Sequence, residues 1–274
     1  MRGTSVRFEP RYLITTWREL TTAGVDPVDF NFAHSISVFA STSKTGEVLE
    51  ARDLVAANNK APIAEFNQSA LKNPRYKLAR TLERIEGYYG RAKVPFRVHS
   101  LVEDDTIASE LTARGYVRGL DLPCMVFDGE SCEAPRVAGL EIAAVRDGEG
   151  LAHFQRTAFE SFGYPVEVAP LALTAELIDL PHVTAFVGYM HGEPAVCSML
   201  ITTGEIAGLY WVGTLAAHRK LGVGAALTAH AVNDGLARGC KRACLQASPM
   251  GKPVYSRIGF THARTYLRFD HAAL

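Results

Sequence analysis

The chain has 274 residues, with 29 Lys and Arg balanced by 29 Asp and Glu, 47% apolar residues and 21% charged ones. That composition supports a large buried core and excludes a disordered chain, and the length suits one large domain or two of ordinary size. No window approaches the ~18 consecutive apolar residues of a membrane span, and the balanced charge argues against a nucleic-acid-coating role, so neither membrane nor nucleic acid is expected as a partner. Met1-Arg2-Gly3-Thr4 leads into mixed charged sequence rather than a secretory apolar core. The five cysteines, Cys124, Cys132, Cys197, Cys240 and Cys244, are odd in number and lack CxxC spacing. They read as small buried hydrophobes of a cytoplasmic protein, with neither a disulfide framework nor a metal site.

In chain order, a helix is expected over residues 12–20. Ala64-Glu-Phe-Asn-Gln68 offers Phe66 and Asn67 to a groove, although nothing in their spacing demands chemistry. Residues 75–89 form the clearest helix of the first half, with Leu78, Leu82, Ile85 and Tyr89 on one face. The basic residues around it, from Lys72 to Arg97, read as a solvated face. A strand over 94–102, a helix over 107–113, a Gly115-Tyr116 stop and a strand over 120–127 follow. Residues 129–136, polar and Pro-containing, suit a linker. Beyond it come a strand at 140–145, helices at 150–162 and 171–178, and strands at 182–190 and 194–201 joined by the turn Met190-His-Gly-Glu193. A strand at 205–215, a helix at 224–238, a strand at 240–248, a short helix at 254–258, Gly259-Phe260 and a strand at 261–269 complete the chain. The strand, short helix, Gly-aromatic stop and strand of 94–127 recur in 240–269, an internal similarity that suggests two related domains.

Residues 213–225 carry the most chemistry. They run from a strand into an Ala-rich helix through Arg219-Lys220-Leu221-Gly222-Val223-Gly224. A helix start offers unpaired N–H groups and the positive end of the helix dipole. The glycines admit close approach, and Arg219 and Lys220 add full charges, so the pattern predicts a pyrophosphate site. A dinucleotide fingerprint needs Gly or Ala where Leu227 stands, together with an acidic residue about 20 positions on. A P-loop needs Ser or Thr where Pro253 follows Gly251-Lys252. Neither motif is present.

Arg219-x-x-Gly222-x-Gly224 after a strand resembles the signature loop of the GNAT superfamily of acyl-CoA-dependent N-acyltransferases. Residues 245–248, Tyr255 and Gly259-Phe260 are similar to the family's second half, and the likeness spans about residues 138–270. It implies an α/β fold, a central mixed sheet flanked by helices in each of two GNAT-like domains. Residues 1–130 would be a degenerate copy lacking the CoA loop, and 136–274 the catalytic domain. It further implies acetyl-CoA as co-substrate, no metal, transfer by direct attack of a primary amine on a small molecule or peptide, and a monomer or homodimer.

Within that resemblance, Arg219 and the backbone of Lys220, Leu221, Gly222, Val223, Gly224 and Ala225 would hold the pyrophosphate. Val212, Gly213 and Thr214 would pair with the pantetheine arm. Gly213 is either a bulge that splays this strand or a relief of packing. Ser248 stands where relatives place an Asn that touches CoA. Tyr255 stands at the position of the general acid, and a phenol of ordinary pKa near 10 is protonated at neutral pH. The carboxylate that the family carries on the strand at 242–248 is absent. The general base is therefore open among Glu160, His153 and a water relay, with Glu205 too far from the loop. Phe159, Phe162, Tyr164, Tyr210 and Trp211 either line an acceptor pocket or belong to the core. The missing carboxylate motivates a second reading, a non-catalytic acyl-CoA-binding regulatory module. Residues 136–204 hold 3 basic and 8 acidic groups and residues 205–274 hold 9 and 3, an asymmetry that favours a cationic amine on the acidic side.

Overall fold

Antiparallel hairpins followed by one parallel crossover recur in both halves of the chain. The computed structural model describes residues 26–72 and 77–272; the helix expected over 12–20 lies outside them. After α1 (Pro27–Ser41), strands β1 (Glu47–Glu50), β2 (Leu54–Asn58) and β3 (Asn67–Leu71) pair antiparallel. Helix α2 (Leu78–Gly90) then returns the chain to β4 (Phe96–Ser100), parallel to β3. Helix α3 (Asp105–Ala113), β5 (Val117–Arg118) and β6 (Leu122–Phe127) end this half. The second half has β7 (Leu140–Ala144), α4 (Gly148–Phe162), a one-turn α5 (Ala175–Ile178), β8 (Val183–Met190), β9 (Glu193–Thr203) and β10 (Ile206–Thr214). Helix α6 (Val223–Ala237) crosses to β11 (Arg242–Gln246), parallel to β10, and α7 (Lys252–Arg257) and β12 (Thr261–His271) close the chain.

The anticipated mixed sheet flanked by helices is present, and the β8–β9 turn has His191 at φ +53° and Gly192 at φ +86°, the geometry of a type I′ hairpin. The helix expected over 171–178 is instead a 3₁₀ turn, Val166–Leu171, followed by α5. Thr174 is extended (φ −100°, ψ 167°) and its Oγ1 accepts the Leu177 N–H at 3.1 Å, so the helix starts only after it.

The two halves share one sheet. Among the described residues its order is β1-β2-β3-β4-β12-β6-β11-β10-β9-β8-β7. The last strand of the first segment, β6, lies between β11 (Gln246 opposite Cys124) and β12 (Thr261 opposite Val126). β12 runs beside β6 as far as Tyr266, then beside β4 from Leu267 to His271. The polar stretch 129–136 therefore separates two segments of sequence without separating two sheets.

Helix α1 fastens this junction from above. Its Asp26 and Asp29 bind Arg264 of β12 at 2.5 and 2.7 Å, and Tyr266 Oη donates to Asp29 at 2.6 Å. On the other side Asn31 accepts from Tyr210 Oη at 2.6 Å and donates to the Ile201 carbonyl at 3.0 Å. The sequence gives no amphipathic period for α1 because almost every face of it is buried.

Two outcomes follow from these packings. A fragment of residues 136–274 lacks β6, leaving β11 and β12 with open edges. It should show no cooperative thermal transition by circular dichroism where the full chain does; a cooperative melt would mean that β11 and β12 close on each other unaided. Second, His34 of α1 stacks on Phe30 at 6.0 Å and faces His182 at 5.7 Å. Burial, and then His182, push its pKa down from 6.5 to about 3. Between those values only the unfolded chain protonates this residue. Its effect on stability is nil above pH 6.5, costs about 1.4 kcal/mol per pH unit below it, and levels off under pH 3. His34→Gln should flatten the stability–pH curve by about one proton between roughly pH 4 and 6, read from urea midpoints.

Candidate active site

β10 and β11 pair only from Ile206–Arg242 to Leu209–Leu245, and beyond that point they part. On the other edge of β10, Tyr210 faces Met199 but Gly213 faces Cys197, so β10 carries one extra residue, a bulge at Trp211–Val212. Trp211 sits at φ +52°, which costs a non-glycine residue about 1–2 kcal/mol. Aromatic packing offsets this. The indole stacks on Phe66 at 6.0 Å and Phe159 at 5.4 Å, with Phe162 edge-on at 5.6 Å, each pair worth about 0.5–1.5 kcal/mol beyond area burial. The Cys197 thiol, pushed up to about 12 by burial, stays protonated and donates to the Trp211 carbonyl at 3.3 Å. Gly213 is back in register. A Cβ there would lie 2.8 Å from Ser161 Cβ of α4, so of the two roles open to it the packing role is the one the geometry supports.

Between the parted strands lies a slot of about 130 Å³ lined by Val212, Leu245, Gln246, Ser248 and Tyr255. Ser248 Oγ accepts the Gly251 N–H at 3.0 Å and so starts the turn into α7. Gly251 leaves room for the Tyr255 ring, since a Cβ there would come within 2.8 Å of it. Burial pushes the Tyr255 phenol well above its ordinary value, so it keeps its proton throughout the neutral range.

The glycine loop ends beside this slot. Gly222, at φ +82°, caps α6 without a side-chain hydrogen bond, and the first turn holds no acidic residue. Gly224 lets the helix start come close to Thr214, whose Oγ1 would lie 3.1 Å from a Cβ at that position. The Val223 side chain is buried, leaving only its backbone to a ligand, whereas Lys220 and Leu221 are exposed. Arg219 also ties the loop down: its Nε donates to the Thr214 carbonyl at 3.1 Å and its Nη2 to Ser161 O at 3.2 Å. Val212–Thr214, Arg219–Ala225, Ser248 and Tyr255 thus converge on the slot and the helix start. A helix start without a side-chain cap, a strand with an unpaired edge and glycines where a Cβ would intrude suit a CoA pyrophosphate and pantetheine arm.

The slot meets a larger cavity of about 310 Å³, sharing Phe162, Tyr210, Trp211, Gln246 and Ser248 with it. Its floor crosses the strand junction, from Gln68 of β3 through His99 of β4, Arg268 of β12 and Leu122 of β6 to Gln246 of β11; Phe32, Ser35 and Phe39 of α1 also line it. Of the five aromatics left open between pocket and core, Phe162, Tyr164, Tyr210 and Trp211 line it, and Phe159 is core. Phe66 lines it too, whereas Asn67 is structural, donating to the Ala61 and Pro95 carbonyls at 2.8 Å.

The acid–base candidates fall elsewhere. Glu160 pairs with Arg156 at 2.9 Å on the surface, His153 bonds the Tyr189 hydroxyl at 3.1 Å, and Glu205 is tied to Lys241 at 2.5 Å at the far end of β10. None of the three lines the cavity. Glu65, Gln68 and His99, from the first half, do line it and were not singled out in sequence. Glu65 binds Arg97 and accepts from Tyr164 Oη at 3.0 Å. Gln68 donates to the Glu65 carbonyl at 2.6 Å and accepts from His99 Nε2 at 2.7 Å, which leaves His99 Nδ1 unprotonated and buried without a partner. Burial, then Arg97 and Arg268, hold the His99 pKa far below its ordinary value. Arg97 does not belong to a solvated face: it is buried on β4, bound to Glu65 and Asp270.

Comparison with protein-family models and with curated proteins gives no match. Solved structures do match along most of the chain. A GCN5-related N-acetyltransferase from Kribbella flavida superposes with a TM-score of 0.67 at 18% identity, over 89% of this chain and 94% of its own. The chain has the GNAT fold. A GCN5-related N-acetyltransferase from Sphaerobacter thermophilus gives 0.58 at 13% identity over 80% and 76% of the two chains. A tandem GNAT protein from the clavulanic acid biosynthesis pathway gives 0.54 at 14% identity over 88% of each chain. Parted strands and a glycine loop at a helix start are therefore seen here on a GNAT scaffold that spans both halves. Gly213→Ala should lower stability by about 1–3 kcal/mol, because Cβ has to displace α4. The measurement is the urea midpoint, and Ser161→Gly in the same chain should recover part of the loss.

Proposed function

We propose that the protein is an acyl-CoA-dependent N-acyltransferase, using acetyl-CoA, whose acceptor amine enters the cavity between the two halves. The observation that carries this reading is the parted β10–β11 pair, which leads from the α6 start to the cavity with Tyr255 in the slot. The co-substrate supplies an activated acyl thioester. The free N–H groups at the start of α6, with Arg219 and Lys220, bind its pyrophosphate. The unpaired edge of β10 at Val212–Thr214 aligns the pantetheine arm, and the aromatic walls limit water. Tyr255 holds a proton at Oη, available to the departing thiolate sulfur. Residues 136–274 supply the CoA machinery in this reading. The first half, a degenerate copy of the same fold, supplies much of the acceptor wall, and the acceptor is a small-molecule or peptide amine.

One feature favours the second reading, an acyl-CoA-binding module without turnover. Among the described residues the carboxylate lining the cavity is Glu65, and it is engaged by Arg97 and Tyr164. Thiol release from acetyl-CoA across an amine panel separates the two: turnover supports the transferase, and calorimetric CoA binding without turnover supports the module. Tyr255→Phe should lower kcat about 10²–10⁴-fold while changing the CoA Kd far less. Equal loss in both, or none in kcat, removes Tyr255 from the acid role.

A further inference from the structure

Arg268 is the one charged group lining the cavity that has no partner among the described residues. It stands directly across from His99 in the β12–β4 register, so the two side chains share a sheet face. Its Nε is buried without a hydrogen bond, and none of its nitrogens forms an ion pair. The carboxylates nearby are already committed. Asp270 is engaged by Arg97 through both oxygens at 2.6 and 3.1 Å, Asp121 by Arg118 at 2.7 Å, and Glu65 by Arg97 and Tyr164. Gly119 makes room for the guanidinium, since a Cβ there would lie 2.6 Å from Nε. Burial and the nearby Arg97 depress its pKa, as expected of a cation short of a counter-ion.

An unpaired guanidinium in a largely aromatic cavity repels a simple cationic amine and offers a forked donor to a planar oxyanion. A single cation, with neutral His99 and Gln68 beside it, matches one negative charge better than a phosphate dianion. Resting on the transferase reading above, we infer that the acceptor is an amino carboxylate, its carboxylate docked on Arg268 and its nitrogen toward the slot. The acidic surplus of residues 136–204, which pointed to a purely cationic amine, lies away from the cavity: none of those charged residues lines it.

The test pairs α- and ω-amino acids with their carboxamides. Thiol release is read with acetyl-CoA, and in parallel the melting temperature is read with CoA present. The carboxylate members should show KM values about 10–100-fold below their amides, the range for a charged hydrogen bond. Arg268→Gln should collapse that ratio, and Arg268→Lys should restore part of it. The melting curve of each variant without ligand shows that it folds. If no amine turns over but amino carboxylates still raise the melting temperature in an Arg268-dependent way, the docking site stands and the transferase reading fails. Amides used as well as acids, acid binding indifferent to Arg268→Gln, or no response to any acid in either arm would each overturn the proposal.

Discussion

The molecule depends on one strand shared between the two halves of its sheet. β12 begins beside β6 in the second half and ends beside β4 in the first, and β6 itself crosses to lie against β11. A parallel crossover such as β10-α6-β11 leaves β11 with one edge unpaired, and an unpaired edge in a buried sheet is costly. The chain meets that need with a strand from the other half. The consequence is functional as well as mechanical, because the cavity floor is the set of strands that this exchange makes neighbours. His99, Arg268 and Gln246 share a floor only because β4, β12, β6 and β11 are consecutive.

The slot depends on the first half by a second route. The bulge in β10, just beyond the end of its pairing with β11, places Trp211 in a conformation that L-residues disfavour, and Phe66 of the first half is one of the rings that hold it there. α1 adds a third link, through Asn31 to Tyr210 on the same strand. The bulged strand of the second half is thus held in shape by residues of the first.

Local patterns carried far into this structure, and long-range ones did not. The glycine loop, the helix it opens, the Gly-aromatic stops and the β8–β9 turn are short-range signals, set by positive φ, helix ends and 3.6-residue periods, and all were legible. The β6–β12 exchange leaves no local trace, because a strand looks the same whichever neighbour it takes. α1 was illegible for the opposite reason: buried on nearly every side, it has no polar face to give a period. Arg97 shows how composition misleads. It was grouped with the solvated basic residues around it, yet two carboxylates from distant segments neutralise it in the interior.

The charge asymmetry of the second half also changes meaning in three dimensions. The surplus of basic residues in 205–274 fits an anionic co-substrate when read as a single pool. The fold divides that pool. Arg219 and Lys220 stand at the start of α6, Arg264 is consumed by Asp26 and Asp29, and Arg268 is carried by β12 into the first half's sheet. Of these four, the first pair alone stands at the glycine loop. Net charge along a sequence predicts a field only where chain segments and spatial neighbourhoods coincide, and a shared strand is the arrangement in which they do not.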